Sequence, residues 1–376
     1  MLQSLRLRTM PLPSHVSIEP FVYQAAPTRV VFGPGTLARL PDEAERLGLR
    51  RVLVLSTPGQ RALAEHAAAL LGERAAGCFS GAAMHVPLAA AQAAGDMARA
   101  VGADGLLAVG GGSTTGLAKA VALHAGLPII AVPTTYAGSE MTPIYGLTDG
   151  GTKKTGRDPR VLPRTVLYDP ELTLALPWAV TVTSAFNAIA HGAEGLYAPD
   201  ANPVVALMAE EGMRACAASL APLQADARDL PARSQALYGA WLCGSVLGAI
   251  TMGLHHKLCH MLGGSFNLPH APVHTVVLPH ALAYNAAAAP VAMARMARAL
   301  GVADAGQPLA AARAVQALAR RLGAPLSLAA LGMPADGLDR AADLAVQNQY
   351  SNPRPLERSA LRALLQRAFD GDPPEP

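Results

Sequence analysis

The sequence is poor in aromatic residues. Phe, Tyr and Trp make up 4% of its 376 residues. That argues against a β-sandwich, whose core leans on large rings. Cysteine is scarce as well. Cys78, Cys216, Cys243 and Cys259 lie far apart and form no CxxC pair. This speaks against a disulfide framework or a thiolate zinc knuckle, and it points to reduced thiols in a cytoplasmic protein. Charged residues are few, 15% with a net charge of +3. So low a charge disfavours a disordered chain and gives no footprint for a nucleic-acid partner. No uninterrupted apolar run reaches transmembrane length; the stretch 281–300 is broken by Asn285, Pro290 and Arg295. No membrane partner is expected. The first 18 residues lack the apolar segment of a secretory signal and read as a loose extension.

What is present is Ala, Leu, Gly and Val, within a hydrophobic fraction of 51%. The length suits about two domains. Apolar runs at Arg29–Phe32, Val52–Leu55, Gly105–Val109 and 127–132 alternate with helical stretches 36–47, 60–71 and 115–124. Continuous apolar strands separated by helices predict a parallel sheet covered on both faces. From Trp178 onward strand-like runs vanish, and helices are expected at 181–198, 203–222, 231–262, 288–302, 307–322 and 356–369. The predicted fold is therefore α/β plus all-α. A Rossmann-like domain over 19–176 is followed by a helical domain over 177–376.

Between the strand at 105–109 and the next helix stands Gly110-Gly111-Gly112-Ser113. Glycines there let the backbone approach a pyrophosphate, and the helix start offers unpaired N–H groups. The spacing is not GxGxxG, so the context and not the motif carries the reading. A Thr-rich turn follows the next strand: Thr134, Thr135, Tyr136 and Ser139 could reach a phosphate, a ribose or a nicotinamide. Ser56 ends the strand 52–55 with no acid beside it, which leaves NADH and NADPH both open.

Asn187 and His191 are four residues apart in one predicted helix, and so are His256 and His260 in another. Each pair shares a face. His270 follows the Gly263-Gly264 break in a segment read as a loop. Imidazoles converging at one point could bind a metal or move protons.

Five blocks, GGGSTTGLAKA (110–120), PTTYAGSEMTPIYG (133–146), NAIAHGAEGLY (187–197), GLHHKLCHMLGG (253–264) and NLPHAPVHTVVLPHALAYN (267–285), resemble the iron-containing alcohol dehydrogenase superfamily. Within it they are most similar to the maleylacetate reductase subgroup. The resemblance implies a two-domain fold shared with dehydroquinate synthase, an interdomain active site and a homodimer. It implies that Asn187, His191, His256 and His270 occupy the positions that bind metal in other members. There Asn187 replaces an acid, so no obligatory metal is expected. It implies NADH or NADPH as cofactor and a dicarboxylate substrate whose conjugated double bond is reduced. A donor for the developing enolate would come from His191, His256 or His270; a histidine or tyrosine would then deliver the proton, with Tyr136 and His260 as further candidates. Lys119 falls in the cofactor block. Lys257, Arg354 and Asn267 are expected to meet substrate carboxylates, while Lys153, Lys154 and Arg157 read as a charged loop. Three other readings compete: a metal-dependent alcohol dehydrogenase, a dehydroquinate synthase-type lyase and a non-catalytic nucleotide-binding protein.

Overall fold

The structure, a computed structural model, describes residues 20–149, 152–347 and 349–376, without the side chains of residues 152 and 153. The expected extension over 1–18 lies outside the described residues. The chain opens with β1 (Arg29–Phe32), α1 (Leu40–Arg46), β2 (Val52–Leu55), α2 (Arg61–Leu71), β3 (Ala75–Phe79) and α3 (Leu88–Ala100). It continues with β4 (Gly105–Gly110), α4 (Gly112–Ala125), β5 (Ile129–Pro133), the hairpin β6 (Ile144–Asp149) and β7 (Thr152–Arg157), and β8 (Thr165–Tyr168). Six strands form one sheet in the order β1-β8-β5-β4-β2-β3, every pairing parallel. Strands β2, β4, β5 and β8 are buried along their whole length, as their unbroken apolar runs require. From the neighbours β2 and β4 the chain builds outward in opposite directions, to β3 and to β5. That reversal opens a crevice beyond the strand ends at Leu55 and Gly110.

Every helix or strand described from Trp178 onward is helical. These are α5 (Trp178–Gly195), α6 (Pro203–Ala225), α7 (Leu230–Ala249), α8 (Leu254–Phe266), α9 (His270–Asn285), α10 (Pro290–Ala299), α11 (Ala310–Arg321), α12 (Leu338–Gln347) and α13 (Arg358–Asp370). α5 is buried from Thr181 to Gly195 and runs through a core shared with α6, α7, α9, α10 and α11. A second core joins α8, α9, α12 and α13. No single described helix is long and apolar enough to cross a membrane.

Three expectations are corrected. The helix expected over 231–262 is two, α7 and α8, bent by 95° at the break before Leu254. There the chain is tied down by Asp200, which accepts from the Thr251 N–H and hydroxyl. The segment carrying His270 is the start of α9. Its prolines masked the helix, but Pro272 stands in the first turn, where a missing N–H costs little. The charged loop around Lys154 and Arg157 is strand β7, paired to β6, and Arg157 donates to the carbonyls of Gly248 and Ile250.

Candidate active site

A cleft of about 620 Å³ runs from the glycine turn before α4 to the histidines of α5, α8 and α9. Its two ends are built by different means. At the glycine end, Gly110 leaves β4 with φ +154°, and a Cβ there would stand 2.4 Å from Thr114 Oγ1 and 2.6 Å from Gln60 Oε1. A Cβ on Gly111 would meet the Thr135 side chain at 2.9 Å. Only glycine lets the Thr134–Thr135 turn close over the strand end, where Thr134 N–H bonds the Gly110 carbonyl. Gln60 Nε2 donates to Thr134 Oγ1 at 2.6 Å and locks the two loops together. Gly112, Ser113, Gly116 and Thr135 line the cleft. Thr114 and Thr115 in the first turn of α4 donate to the Gly111 carbonyl; the N–H groups of Gly112 and Ser113 ahead of them have no i−4 carbonyl in the helix, and the helix dipole is positive there. This glycine cradle fits the pyrophosphate of a dinucleotide.

At the other end, Gly138 sits at φ +75° and Gly244 of α7 packs on its backbone, where a Cβ would be 2.8 Å from Gly138 Cα. That close approach presses the Ala137 carbonyl onto α5. Asn187 Nδ2 donates to it at 3.2 Å and lies 3.2 Å from His191 Nε2. His191 Nδ1 meets His256 Nε2 at 2.8 Å, and His256 Nδ1 meets Glu194 Oε2 at 2.7 Å. Glu194 is wholly buried and also accepts the N–H groups of Gly253 and His255, which caps α8. Burial and the neighbouring His256 hold the His191 pKa well below the usual histidine value. His260 and His270 are half-buried, line the cleft, and stack with centroids 5.8 Å apart.

Residues 27–170 match the family model for iron-containing alcohol dehydrogenase, and residues 181–369 match its C-terminal model. The chain belongs to the iron-containing alcohol dehydrogenase family. It is 63% identical to a maleylacetate reductase of Burkholderia cepacia over 93% of this chain and 98% of that protein. Its fold matches the crystal structure of a putative alcohol dehydrogenase from Ralstonia eutropha JMP134, with TM-score 0.93 and 61% identity over 95% of this chain and 100% of that one. A maleylacetate reductase from Agrobacterium tumefaciens matches with TM-score 0.90 and 54% identity, again over 95% of this chain and 100% of that one.

The iron of the family name can be tested against the residues present. Asn187, His191, His256 and His270 bring no anion, and Asn187 turns its Nδ2, not its Oδ1, toward His191. His191 and His256 bond each other instead of facing a shared point. The nearby carboxylate, Glu194, is held by α8. With His191 and His256 engaged with each other and an amide where an anionic oxygen would stand, this arrangement does not fit the iron of the family name. Deeper in, the ligand atoms of His255, Cys259 and His274 lie within 4.8 Å of one another. His255 Nε2 and His274 Nδ1 are already bonded at 2.9 Å, and burial raises the Cys259 pKa, which keeps it a thiol.

Several candidates from the sequence lie elsewhere. Tyr136 points into the helical core, where its hydroxyl accepts from Arg233. Lys119 lines the cleft, but its Nζ is surrounded by the Ser139, Thr142 and Ile144 carbonyls and Thr142 Oγ1. Burial lowers its pKa to about 7, opposed by Glu140. It ties α4 to the turn carrying Ser139. Ser56 bonds Ser80 at the strand ends and does not line the cleft. Lys257 is exposed on α8 over the Tyr350 ring, and Arg354 packs on Tyr284. Asn267 ends α8 in the left-handed conformation, φ +53°. None of these three lines the cleft. Glu194 went unnoticed in the sequence. Its signal was the spacing Asn187, His191, Glu194, which repeats one helix face.

Proposed function

We propose that the chain is an NAD(P)H-dependent maleylacetate reductase, a cytoplasmic homodimer that needs no metal. The observation that carries this reading is Asn187. At the position where an acid would serve a metal, an amide donates to the Ala137 carbonyl and sits against His191. Identity of 63% to a maleylacetate reductase supports the substrate.

Gly112 and Ser113 would hold the cofactor pyrophosphate at the start of α4, with Thr135 beside them. Bound there, the reduced nicotinamide supplies a hydride. The substrate is a dicarboxylate whose double bond is conjugated to a ketone. Addition of hydride at the alkene carbon β to the ketone leaves negative charge on the ketone oxygen. A proton must then reach the adjacent carbon, giving 3-oxoadipate. His260 and His270 present their rings to the cleft and are placed to stabilise that oxygen and deliver that proton. His191 and His256 form the buried floor beneath them.

The carboxylates need positive potential, yet no arginine lines the cleft among the described residues, and Lys119 is engaged. Helix starts take that role. Ala179 and Val180 open α5, and His270 and Ala271 open α9; all four line the cleft. Their N–H groups lie in first turns, where no i−4 carbonyl is available.

Oxidation of NADH and NADPH, followed by absorbance with freshly generated maleylacetate, tests the assignment. Turnover with 3-oxoadipate as product is expected. No turnover with either cofactor would overturn it.

A further inference from the structure

We infer that Glu194 is a positioning residue: it fixes which nitrogen of His256 carries the hydrogen, and so which nitrogen His256 turns, as an acceptor, toward His191. The argument starts from valence. An ionised carboxylate only accepts hydrogen bonds. Glu194 has three close neighbours, Gly253 N at 2.9 Å, His255 N at 2.8 Å and His256 Nδ1 at 2.7 Å. Each must donate, so His256 carries its hydrogen on Nδ1. A neutral imidazole has one N–H, which leaves His256 Nε2 as an acceptor. His191 Nδ1 meets that acceptor across 2.8 Å. Its Nε2 lies 3.1 Å from the Ala137 carbonyl and 3.2 Å from Asn187 Nδ2, so the direction set by Glu194 runs as far as the His256–His191 contact.

Beside this contact, Asn187 Oδ1 is buried and has no hydrogen-bond partner in the protein.

No rival charge competes with Glu194 for His256. Among the described residues, the one ion-pair partner of Glu194 is His256. The other titratable groups that feel its charge are Tyr197, Tyr350 and Cys259, all held protonated. His256 is faced by the rings of His191, His255, His260 and His274. The helix start of α8 adds a positive dipole end against the carboxylate.

The kinetic arm of the test rests on the reductase reading; the spectroscopic arm does not. Glu194→Gln must offer an amide N–H where a carboxylate oxygen was, and turned toward His256 it moves the hydrogen of that ring to Nε2. Nitrogen NMR of histidine-labelled protein, with the His256 signal assigned by its loss in His256→Ala, should show His256 protonated on Nδ1 in the native chain. In Glu194→Gln that proton should move to Nε2. Turnover should fall on the order of 10²-fold, while NAD(P)H affinity holds within about twofold. In a His256→Ala background, Glu194→Gln should cost no further turnover. A native His256 protonated on Nε2, or a folded Glu194→Gln variant with unchanged tautomers, would overturn the inference. So would a turnover loss that adds in full to that of His256→Ala, which would mark Glu194 as a cap of α8 alone. If the native chain fails to reduce maleylacetate, the substrate assignment fails, and the NMR comparison still decides the role of Glu194.

Discussion

The two ends of the cleft are built by opposite means. At the α4 end the work is done by backbone, and side chains are pared away: Gly110, Gly111 and Gly112 leave room for a phosphate and keep helix N–H groups open. At the α5–α8 end the work is done by side chains, and the space is filled: Glu194, His256, His191 and Asn187 bond in one line with no water between them. The contrast teaches what each end tolerates. The first fails when an atom is added, the second when a hydrogen-bond direction is changed.

The largest effect should come from removing a link in the side-chain line. His256→Ala should cut turnover on the order of 10²-fold, the scale expected when the groups above it lose their orientation. NAD(P)H binding, measured by nucleotide fluorescence, should barely move. Equal losses in both would erase the distinction between the two ends. Gly111→Ala tests the other end. Its Cβ would stand 2.9 Å from Thr135, and such crowding costs about 1–3 kcal/mol. Cofactor affinity should weaken by about 5- to 150-fold, with substrate protection of the histidine end retained. Asn187→Asp changes only direction. A carboxylate oxygen would face the Ala137 carbonyl and lose the donor to His191, so turnover should drop about tenfold or more. Iron or zinc affinity, read by metal analysis after dialysis, should rise.

The dry end also predicts how stability follows pH. Burial holds His191, His255 and His274 well below the ordinary value of 6.5, and away from the cleft burial, with Arg367, holds His280 at about 4. Below about pH 6.5 the unfolded chain gains protons that the folded chain refuses, so stability falls as pH drops from about 7 toward 4. The thermal midpoint should therefore be lower at pH 5.5 than at pH 7.5; a flat profile would mean these rings are not dry. The smallest effect is expected outside both ends. Lys257→Ala and Arg354→Ala should each leave the substrate KM within about twofold, because neither side chain lines the cleft. A large rise in KM for either would place the carboxylates elsewhere.

The same contrast explains what could be read from the sequence. The parallel sheet was legible because runs such as Val52–Leu55 and Ile129–Val132 are buried on both faces and carry no polar interruption. The glycine turn was legible because backbone sites advertise themselves by the residue type they require. Side-chain sites do not. Asn187 with His191 and His256 with His260 were found as i, i+4 pairs, but their partner Glu194 looked like any helical acid until the bend before α8 brought Gly253 and His255 onto it. The prolines of 267–285 hid α9, since Pro279 lies inside that helix. The cations Lys257 and Arg354 seemed suited to a dicarboxylate by charge alone, whereas packing on Tyr350 and Tyr284 turns them from the cleft.

The central claim is that hydrogen bonds, and not a metal, hold the catalytic end in register. The most direct test is turnover of maleylacetate by protein stripped with a strong chelator, alongside metal analysis of the same sample. Undiminished rates at a metal content far below one ion per chain are the predicted result. Activity that disappears on stripping and returns with iron or zinc would contradict the account.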